Sequence, residues 1–299
     1  MTTRIGDFAQ STRLTNLLQT TQTRVREAQI DISSGKKAQR FDELAEDARL
    51  LLRSREQRDL TERYVGENAK VMDRLQLADG AMGRILDVAE RFREVLVARR
   101  QDASGSLVPL ATEVESMIQQ VQGQLNIRLD DRYLFAGSRT DTPPVAIPDP
   151  LPAGLTAADY YRGDDRLLTV RADVDIEFGY GVTAADPAFE KLFGALATAR
   201  QAELDDDRVG FGVAIDAAGD AISMLVRTRS NMNTNSSRLE AIKDGQEGGL
   251  VYLDDLVGRI EDTDPAEAMS RLASDSAMLE ASYLAISRIN NLSLADYLR

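Results

Sequence analysis

The sequence predicts a mainly α-helical protein, with long antiparallel helices or a coiled coil built from both chain ends and a small β-containing outer domain inserted between them. Two observations lead to this fold class. Apolar residues recur at alternating steps of three and four near both chain ends and along residues 215–260, which is the spacing of a helix seam. Residues 138–207 interrupt that pattern and hold six of the eight prolines, which exclude long helices.

The N-terminal helix is predicted from a single apolar stripe that ends before a glycine. Gly35, after Ser33 and Ser34, can adopt the left-handed conformation that commonly closes a helix. A helix with so thin a stripe is marginal in water on its own, so it needs a partner. The stripe consists of Leu14, Leu18, Thr21, Val25, Ala28 and Ile32.

Two further helices are predicted before the insertion. The longer one begins near Asp42, and the other starts at Pro109, a residue suited to the first helical position, and runs to about Phe135. The long helix is expected to pair with the seam that follows the insertion. Its own seam consists of Tyr64, Asn68, Val71, Leu75, Ala78, Met82, Ile85, Ala89, Phe92 and Leu96.

The insertion is predicted to contain one β-strand and one short helix. Val170–Phe178 alternates apolar and charged residues, which is the pattern of a half-buried strand. Phe189–Arg200 is expected to form a short helix that returns the chain to the long seam.

The longest seam predicts a helix of roughly 70 Å. Its phase is unbroken across Asn231–Ser237, which favours one continuous helix. Gly245, Gly248 and Gly249 leave an interruption open, because each costs up to ~1 kcal/mol against alanine in a helix. The seam consists of Ile215, Ala218, Ile222, Leu225, Arg229, Met232, Ser236, Leu239, Lys243, Gln246, Leu250, Leu253, Val257 and Ile260.

The last helix is predicted to begin at Asp264, with Pro265 in the first helical position and Glu267 completing a capping box. Its thin stripe resembles that of the N-terminal helix, so the chain is symmetric about the insertion. The stripe consists of Met269, Leu272, Ser276, Leu279, Tyr283, Ile286 and Asn290. The predicted segments are an N-terminal inner helix (1–40) paired with a C-terminal inner helix (264–299), a helical core (41–137) paired with a long helix (208–263), and the outer domain (138–207).

Composition excludes most catalytic chemistry. The chain has no Cys, His or Trp, so disulfides, thiolate nucleophiles, histidine acid–base catalysis and the usual zinc ligands are all missing. Asp173–Glu177 lacks the glycine and glutamate spacing of a calcium loop. Asp164–Asp165 and Asp205–Asp207 are interpreted as solvated turns. We therefore expect no enzyme activity, no cofactor and no metal.

The charge distribution limits the classes of partner that the chain is expected to bind. A net charge of −13 argues against nucleic acid, which requires clustered Lys and Arg. Residues 1–40 are basic, at net +4, and residues 141–210 are acidic, at net −8. The N-terminus lacks the apolar run of a cleavable signal, and no stretch reaches the roughly 20 apolar residues of a membrane span. We expect a protein that does not insert into a membrane.

The two thin stripes predict self-association, because neither can form a dry, self-sufficient core. In this interpretation the terminal helices pair with each other and with neighbouring subunits. The expected interface residues are Leu14, Leu18, Val25, Ala28, Ile32, Met269, Leu272, Leu279, Tyr283 and Ile286.

Three stretches also carry a family likeness. They are Ile32–Lys37, Arg132–Pro144 and Arg259–Ala268, the last followed by a terminus ending in Asn291–Leu298. They resemble the flagellins and, more closely, the family of flagellar hook–filament junction proteins known as hook-associated protein 3. The segment Phe41–Ala48 departs from the family pattern. The residues that carry the junction-like signature are Tyr133, Leu134, Phe135, Gly137 and Ser138.

The resemblance implies a structural adaptor that joins the hook to the filament outside the bacterial cell and is exported without a cleavable signal peptide. Implied partners are the other hook-associated junction protein, flagellin, an export chaperone and further copies of the chain in a ring. The alternatives are a flagellin that builds the filament itself, a cytoplasmic coiled-coil scaffold, and an enzyme housed in the insertion, which would lack histidine, a metal set and a phosphate loop.

Overall fold

The chain is largely helical, as predicted. The computed structural model describes residues 2–38, 44, 47–101, 109–149, 151–152 and 154–297, and of residues 2–11 and 289–297 it describes the helical backbone alone. The predicted helix start near Asp42 lies outside the described residues. The elements are α1 (Thr2–Ser34), α2 (Asp47–Gln101), α3 (Leu110–Leu125), β1 (Arg128–Leu129), β2 (Arg132–Tyr133), α4 (Ala157–Tyr160), β3 (Leu168–Asp173), β4 (Ile176–Tyr180), α5 (Pro187–Leu204), α6 (Arg208–Glu261) and α7 (Pro265–Tyr297).

The described chain divides into two compact units. The terminal unit comprises the described residues of 1–59 and 250–299, and the central unit comprises those of 60–249. In the terminal unit α1 packs along α7, so the two chain ends form a helix pair. The five-part division into segments stays a prediction.

The ends of α1 and α7 nearest their connecting turns follow the predicted capping rules. Gly35 has a φ of +71° and its N–H donates to the Asp31 carbonyl at 2.8 Å, which closes α1. The Asp264 side chain caps α7 by accepting from the N–H of Ala266 at 2.8 Å. Glu267 does not complete the expected capping box, because its carboxylate accepts from Arg271 instead.

The central unit buries the seams of its two long helices. Nine of the ten predicted α2 positions are buried, and the tenth, Tyr64, is half-buried. Along α6 one row of buried positions recurs every seven residues, at Ala218, Leu225, Met232, Leu239 and Gln246, which is the repeat of a coiled-coil seam. The helix is continuous through Gly245–Gly249. Periodicity therefore outweighs the helix propensity of glycine here.

The polar residues of these seams pair with each other. Arg229 donates from Nε and Nη2 to the two carboxylate oxygens of Asp79, at 2.7 and 2.9 Å. The Arg229 hydrogen bond is the main reason that the pKa of Asp79 is below its ordinary value. Asn68 and Gln246 bond to each other at 2.9 Å, and both side-chain amides donate to the Ala172 carbonyl of β3. The buried amides thus attach a β-strand to α2 and α6.

The prediction that α3 runs to about Phe135 is wrong. α3 ends at Leu125, and Asn126 leaves the helix to exchange two hydrogen bonds with the backbone of Val145, at 2.8 and 2.9 Å. A hairpin of β1 and β2 follows, with Asp130 and Asp131 both at positive φ. This is the backbone of a two-residue hairpin turn that Asp tolerates.

The single strand predicted over Val170–Phe178 is also wrong, because that segment is an antiparallel hairpin. β3 and β4 pair Val170 with Phe178, and the chain reverses after Asp173. The Asp173 carboxylate accepts from the Val174 N–H at 2.7 Å, and Arg171 donates to the Val174 carbonyl. The apolar and charged residues still alternate across the hairpin, because a two-residue turn preserves the two-residue period of the side chains.

α5 extends the predicted short helix to Pro187–Leu204 and anchors the insertion. The Asp186 side chain caps it by accepting from the Ala188 N–H at 2.9 Å. Phe189 and Phe193 are fully buried and meet Phe135 and Tyr160, respectively, at ring-centroid distances of 6.1 and 4.8 Å. The aromatic cluster holds the insertion against α5.

Candidate subunit interface

The predicted α1 stripe faces α7. Among the predicted interface residues of α1, Ala28 is buried, and the other four (Leu14, Leu18, Val25 and Ile32) are half-buried. Thr21 on the same stripe is fully buried and satisfies its hydroxyl by donating to the Leu17 carbonyl at 2.9 Å. Buried apolar surface is the main source of stability for a helix pair, and a stripe this thin buries little of it.

The α7 stripe is only partly the one that the sequence indicated. Leu272, Leu279 and Ile286 are half-buried, but Met269 and Tyr283 are 62% and 48% exposed. The side chain of Asn290 lies outside the described ones. The buried positions beside Met269 and Tyr283 are Ala268 and Ser282.

The choice between these neighbouring positions depends on side-chain size. A stripe through positions 268, 272, 275, 279, 282 and 286 also alternates four and three. Sequence reasoning missed Ala268 and Ser282 because it selected the larger of the two neighbouring residues at these two steps, Met269 and Tyr283. A close helix pair accommodates the smaller one.

Two polar contacts fix the register of α1 against α7. The Gln22 amide donates to the Tyr283 hydroxyl at 2.5 Å, and Arg24 lies 3.8 Å from the Asp275 carboxylate. The Arg24–Asp275 pair is partly exposed, so it specifies alignment more than it adds stability. Tyr283 therefore contacts α1 through its hydroxyl while its ring stays half in solvent.

Large apolar side chains remain exposed on both terminal helices. The most exposed are Met269 and Leu284, each at 62%. Met269 and Met278 are nine residues apart, which places them on opposite sides of α7, so the exposed residues offer candidate contacts on more than one face of the pair. The set comprises Leu17, Ile30, Met269, Met278, Tyr283 and Leu284.

The turns of the terminal unit meet at a buried carboxylate. Glu261, at the end of α6, is 7% exposed and pairs with Lys36 at 2.7 Å and with Arg55 of α2. The segment after α1 is also joined to the α6–α7 turn by backbone bonds, from Lys37 N–H to the Glu261 carbonyl at 2.7 Å and from Thr263 N–H to the Gly35 carbonyl at 2.9 Å. Burial alone would raise the pKa of Glu261, but hydrogen bonds from Arg55 and Lys36 lower it overall.

The signature residues form a loop with internal bonds. Phe135 is fully buried, Tyr133 and Leu134 are half-buried, and Gly137 has a φ of +69°. Asp164 accepts from the N–H of Ser138 at 2.7 Å and also from its hydroxyl, and these bonds lower the pKa of Asp164. A Cβ at position 137 would lie 2.3 Å from the Asp164 carboxylate, so only glycine fits. The signature stabilises this loop.

Sequence reasoning did not identify the role of Asp164, which it interpreted as part of a solvated turn. Nothing near Asp164 in the sequence points to Ser138, 26 residues away. The interpretation of Asp205–Asp207 as an exposed turn is confirmed: all three are exposed, and Asp207 caps α6 by accepting from the Val209 N–H at 2.9 Å.

The geometry of the described residues does not point to a metal site or to a membrane-spanning segment. Within the described ranges, no cluster of three or more His, Cys, Asp or Glu residues could hold a metal ion. One described helix, α6, is long and apolar enough over an 18-residue window to cross a membrane by length and composition alone. Exposed Asp216 and Asp220 interrupt its most apolar part, and its buried side forms the core described above. We interpret α6 as a core helix.

Two family models and several solved structures resemble this chain. Residues 7–140 match the bacterial flagellin N-terminal helical region, and residues 215–298 match the bacterial flagellin C-terminal helical region. No curated protein sequence matches the chain. At these identities, the structural likenesses given below demonstrate the fold alone.

A protein of Vibrio parahaemolyticus assigned as flagellar hook-associated is 14% identical, with a TM-score of 0.61 over 72% of this chain and 97% of its own. The FlgL protein of Bacillus cereus is 12% identical, with a TM-score of 0.51 over 64% of this chain and 97% of its own. Flagellar hook associated protein-3 of Legionella pneumophila is 9% identical, with a TM-score of 0.55 over 71% of this chain and 98% of its own.

Proposed function

Since the chain belongs to the flagellin family, we propose that it is a structural adaptor that joins the hook of the bacterial flagellum to the filament. The observation that carries the proposal is the terminal helix pair, which is joined along a thin seam and still exposes large apolar residues such as Met269, Met278 and Leu284. Such a pair gains most of its stability when neighbouring copies cover those exposed residues.

The adaptor assembles by self-association through the terminal helices. The ten predicted interface residues contribute in two ways. Those that face the α1–α7 seam hold the pair together, as Tyr283 does through its hydroxyl. The exposed Met269 and the half-exposed ring of Tyr283 contact a neighbouring subunit. Subunits form a ring whose two faces meet the other hook-associated junction protein and flagellin. The role is mechanical and not enzymatic.

Export precedes assembly in this proposal. The chain leaves the cell without a cleavable signal, aided by an export chaperone, and acts outside the cell at the hook–filament junction. The absence of Cys suits passage through a narrow channel, because no disulfide has to form or break on the way.

A flagellin that builds the filament is the second candidate, favoured by the match to both flagellin regions. Two observations favour the junction role: the signature loop resembles that of junction proteins, and the three structural neighbours named above bear hook-associated or FlgL names. Purified protein separates the two. Electron microscopy of the concentrated protein, seeded with filament fragments, is expected to show no elongation, and filaments that grow without limit would contradict the junction role.

A further inference from the structure

The last turn of α6 is capped by the turn that follows α1. The last four carbonyls of a helix have no partner within the helix. Two of these carbonyls in α6 accept from Lys37: its Nζ donates to the Arg259 carbonyl at 2.7 Å, and its backbone N–H donates to the Glu261 carbonyl at 2.7 Å. A cation at this position also suits the negative end of the helix dipole. The cap of α6 therefore comes from a residue 222 positions earlier than Arg259.

The end of α1 is held by the same contact in the opposite direction. Gly35, which closes α1, accepts at its carbonyl from the Thr263 N–H at 2.9 Å. Lys36 donates from Nζ to the Glu261 carboxylate at 2.7 Å. Donors and acceptors thus lie on both sides of the contact, so each segment satisfies polar groups of the other.

The carboxylate at this contact depends on partners from two other segments. Glu261 is 7% exposed, and it pairs with Lys36 after α1 and with Arg55 of α2. Release of the turn after α1 would remove one of these cations together with both bonds from Lys37. The last turn of α6 would then lose its cap, and uncapped helix ends fray.

We propose that these two segments, Gly35–Lys37 and Arg259–Thr263, form a capping joint that couples the order of α1 to the order of the end of α6. When α1 docks on α7, the joint places Lys36 and Lys37 on the end of α6 and orders its last turns. The coupling is reciprocal, so an ordered end of α6 also favours docked α1. The device is a property of the single chain, and it holds whether the chain is a junction protein or a flagellin.

Hydrogen exchange of the full chain tests the coupling with substitutions remote from the joint. Thr21→Glu places a charge at a fully buried position of the α1–α7 seam, roughly 21 Å along α1 from Gly35. Ser282→Glu does the same from α7, where Ser282 is 9% exposed. Both should remove protection from α1 and speed exchange of the amides of residues 256–261 by about tenfold. Thr23→Glu, at an exposed position of α1, is the matched control and should change neither.

Variants of the joint separate coupling from a general loss of stability. K36M/K37M keeps the aliphatic stems but removes both ammonium groups, and should by itself speed exchange of residues 256–261 by about fivefold. Thr21→Glu added to K36M/K37M should then speed that exchange by less than about threefold more, because the coupling is already weakened. Lys70→Met removes an exposed lysine that pairs with Glu67 and should leave exchange of residues 256–261 unchanged.

Four results would overturn the proposal. They are an unchanged rate at residues 256–261 when α1 loses protection, an equal effect of Thr21→Glu with and without K36M/K37M, a parallel rise at residues 225–239 of the α6 seam, and the absence of protection in α1 of the wild-type chain. If neither Thr21→Glu nor Ser282→Glu releases α1, the docked pair on which the joint depends is contradicted as well.

Discussion

At the residue scale, several side chains that looked exceptional in the sequence are partners in short-range bonds. Asn68 and Gln246 interrupt otherwise apolar seams, yet both donate to the Ala172 carbonyl. Burying an amide costs free energy unless its donors are bonded. Their polarity is therefore explained by the β3 backbone that they hold.

Gly137 should be the least replaceable residue of the signature loop. Gly137→Ala is expected to lower the free energy of unfolding by about 2–4 kcal/mol, because it combines an unfavourable positive φ with a clash against Asp164. Gly181→Ala is the control, since Gly181 has a φ of +84° and open space around it, and it should cost about 1 kcal/mol. Equal losses in urea unfolding would contradict the steric argument.

Glu261 should make the stability of the terminal unit depend on pH. Its pKa is lowered in the folded state, so its stabilisation is fully present above the ordinary value of 4.5 and is lost as pH falls through the folded value. Near pH 7, Glu261→Gln should cost about 1–3 kcal/mol, since the carboxylate is buried but its partners are partly exposed.

The difference between wild type and Glu261→Gln should shrink as the pH falls below 4.5, the ordinary pKa of a glutamate, and should vanish below the lowered pKa of the folded state. Thermal melts at several pH values measure it. Glu267→Gln removes a solvent-exposed pair with Arg271 and should change stability by less than about 0.5 kcal/mol at any pH. A pH-independent difference for Glu261→Gln would contradict the assigned charge interaction.

At the element scale, helices with one strong seam were predictable, and connections were not. The predicted seams of α2 and α6 agree with the structure because apolar periodicity identifies the buried face of a helix directly. The end of α3 was missed because Asn126 exits to bond Val145, 19 residues later. The β3–β4 hairpin was merged into one strand because its tight turn keeps the alternation intact.

The continuity of α6 gives a prediction about its glycines. Gly245 and Gly248 lie in the helix, and an added Cβ at either would meet nothing within 4 Å. Gly245→Ala and Gly248→Ala should each stabilise the isolated chain by about 0.5–1 kcal/mol, because alanine loses less conformational entropy in a helix. A loss of stability in chemical denaturation would indicate that the helix is interrupted there.

The register of α7 can be tested with neighbouring substitutions. Ala268→Glu places a charge in the α1–α7 seam and should abolish hydrogen-exchange protection in α1. Met269→Glu places the same charge on the exposed side and should leave that protection intact while preventing assembly into flagella. Loss of protection in both variants would indicate that Met269 lies in the α1–α7 seam, contrary to the register described here.

At the scale of the whole molecule, the sequence indicated the symmetric plan, in which both ends supply a thin helix. It could not distinguish Ala268 from Met269, since adjacent residues fit the same periodic pattern. Tertiary packing decides between them.

Truncation separates folding from assembly. A chain that lacks Ile286–Arg299 should keep the thermal transition of the central unit, whose core lies within residues 60–249, and should fail to incorporate into flagella. Calorimetry and immunolabelling of flagella measure the two properties. Normal incorporation of the truncated chain would refute the role of the terminal pair.

The most direct test of the junction role is electron microscopy of flagella from a strain that lacks this protein, together with an assay of flagellin in the medium. The proposed adaptor predicts hooks without filaments and flagellin lost to the medium, both reversed when the full chain is supplied. Filaments of normal length and number on the deletion strain would contradict it.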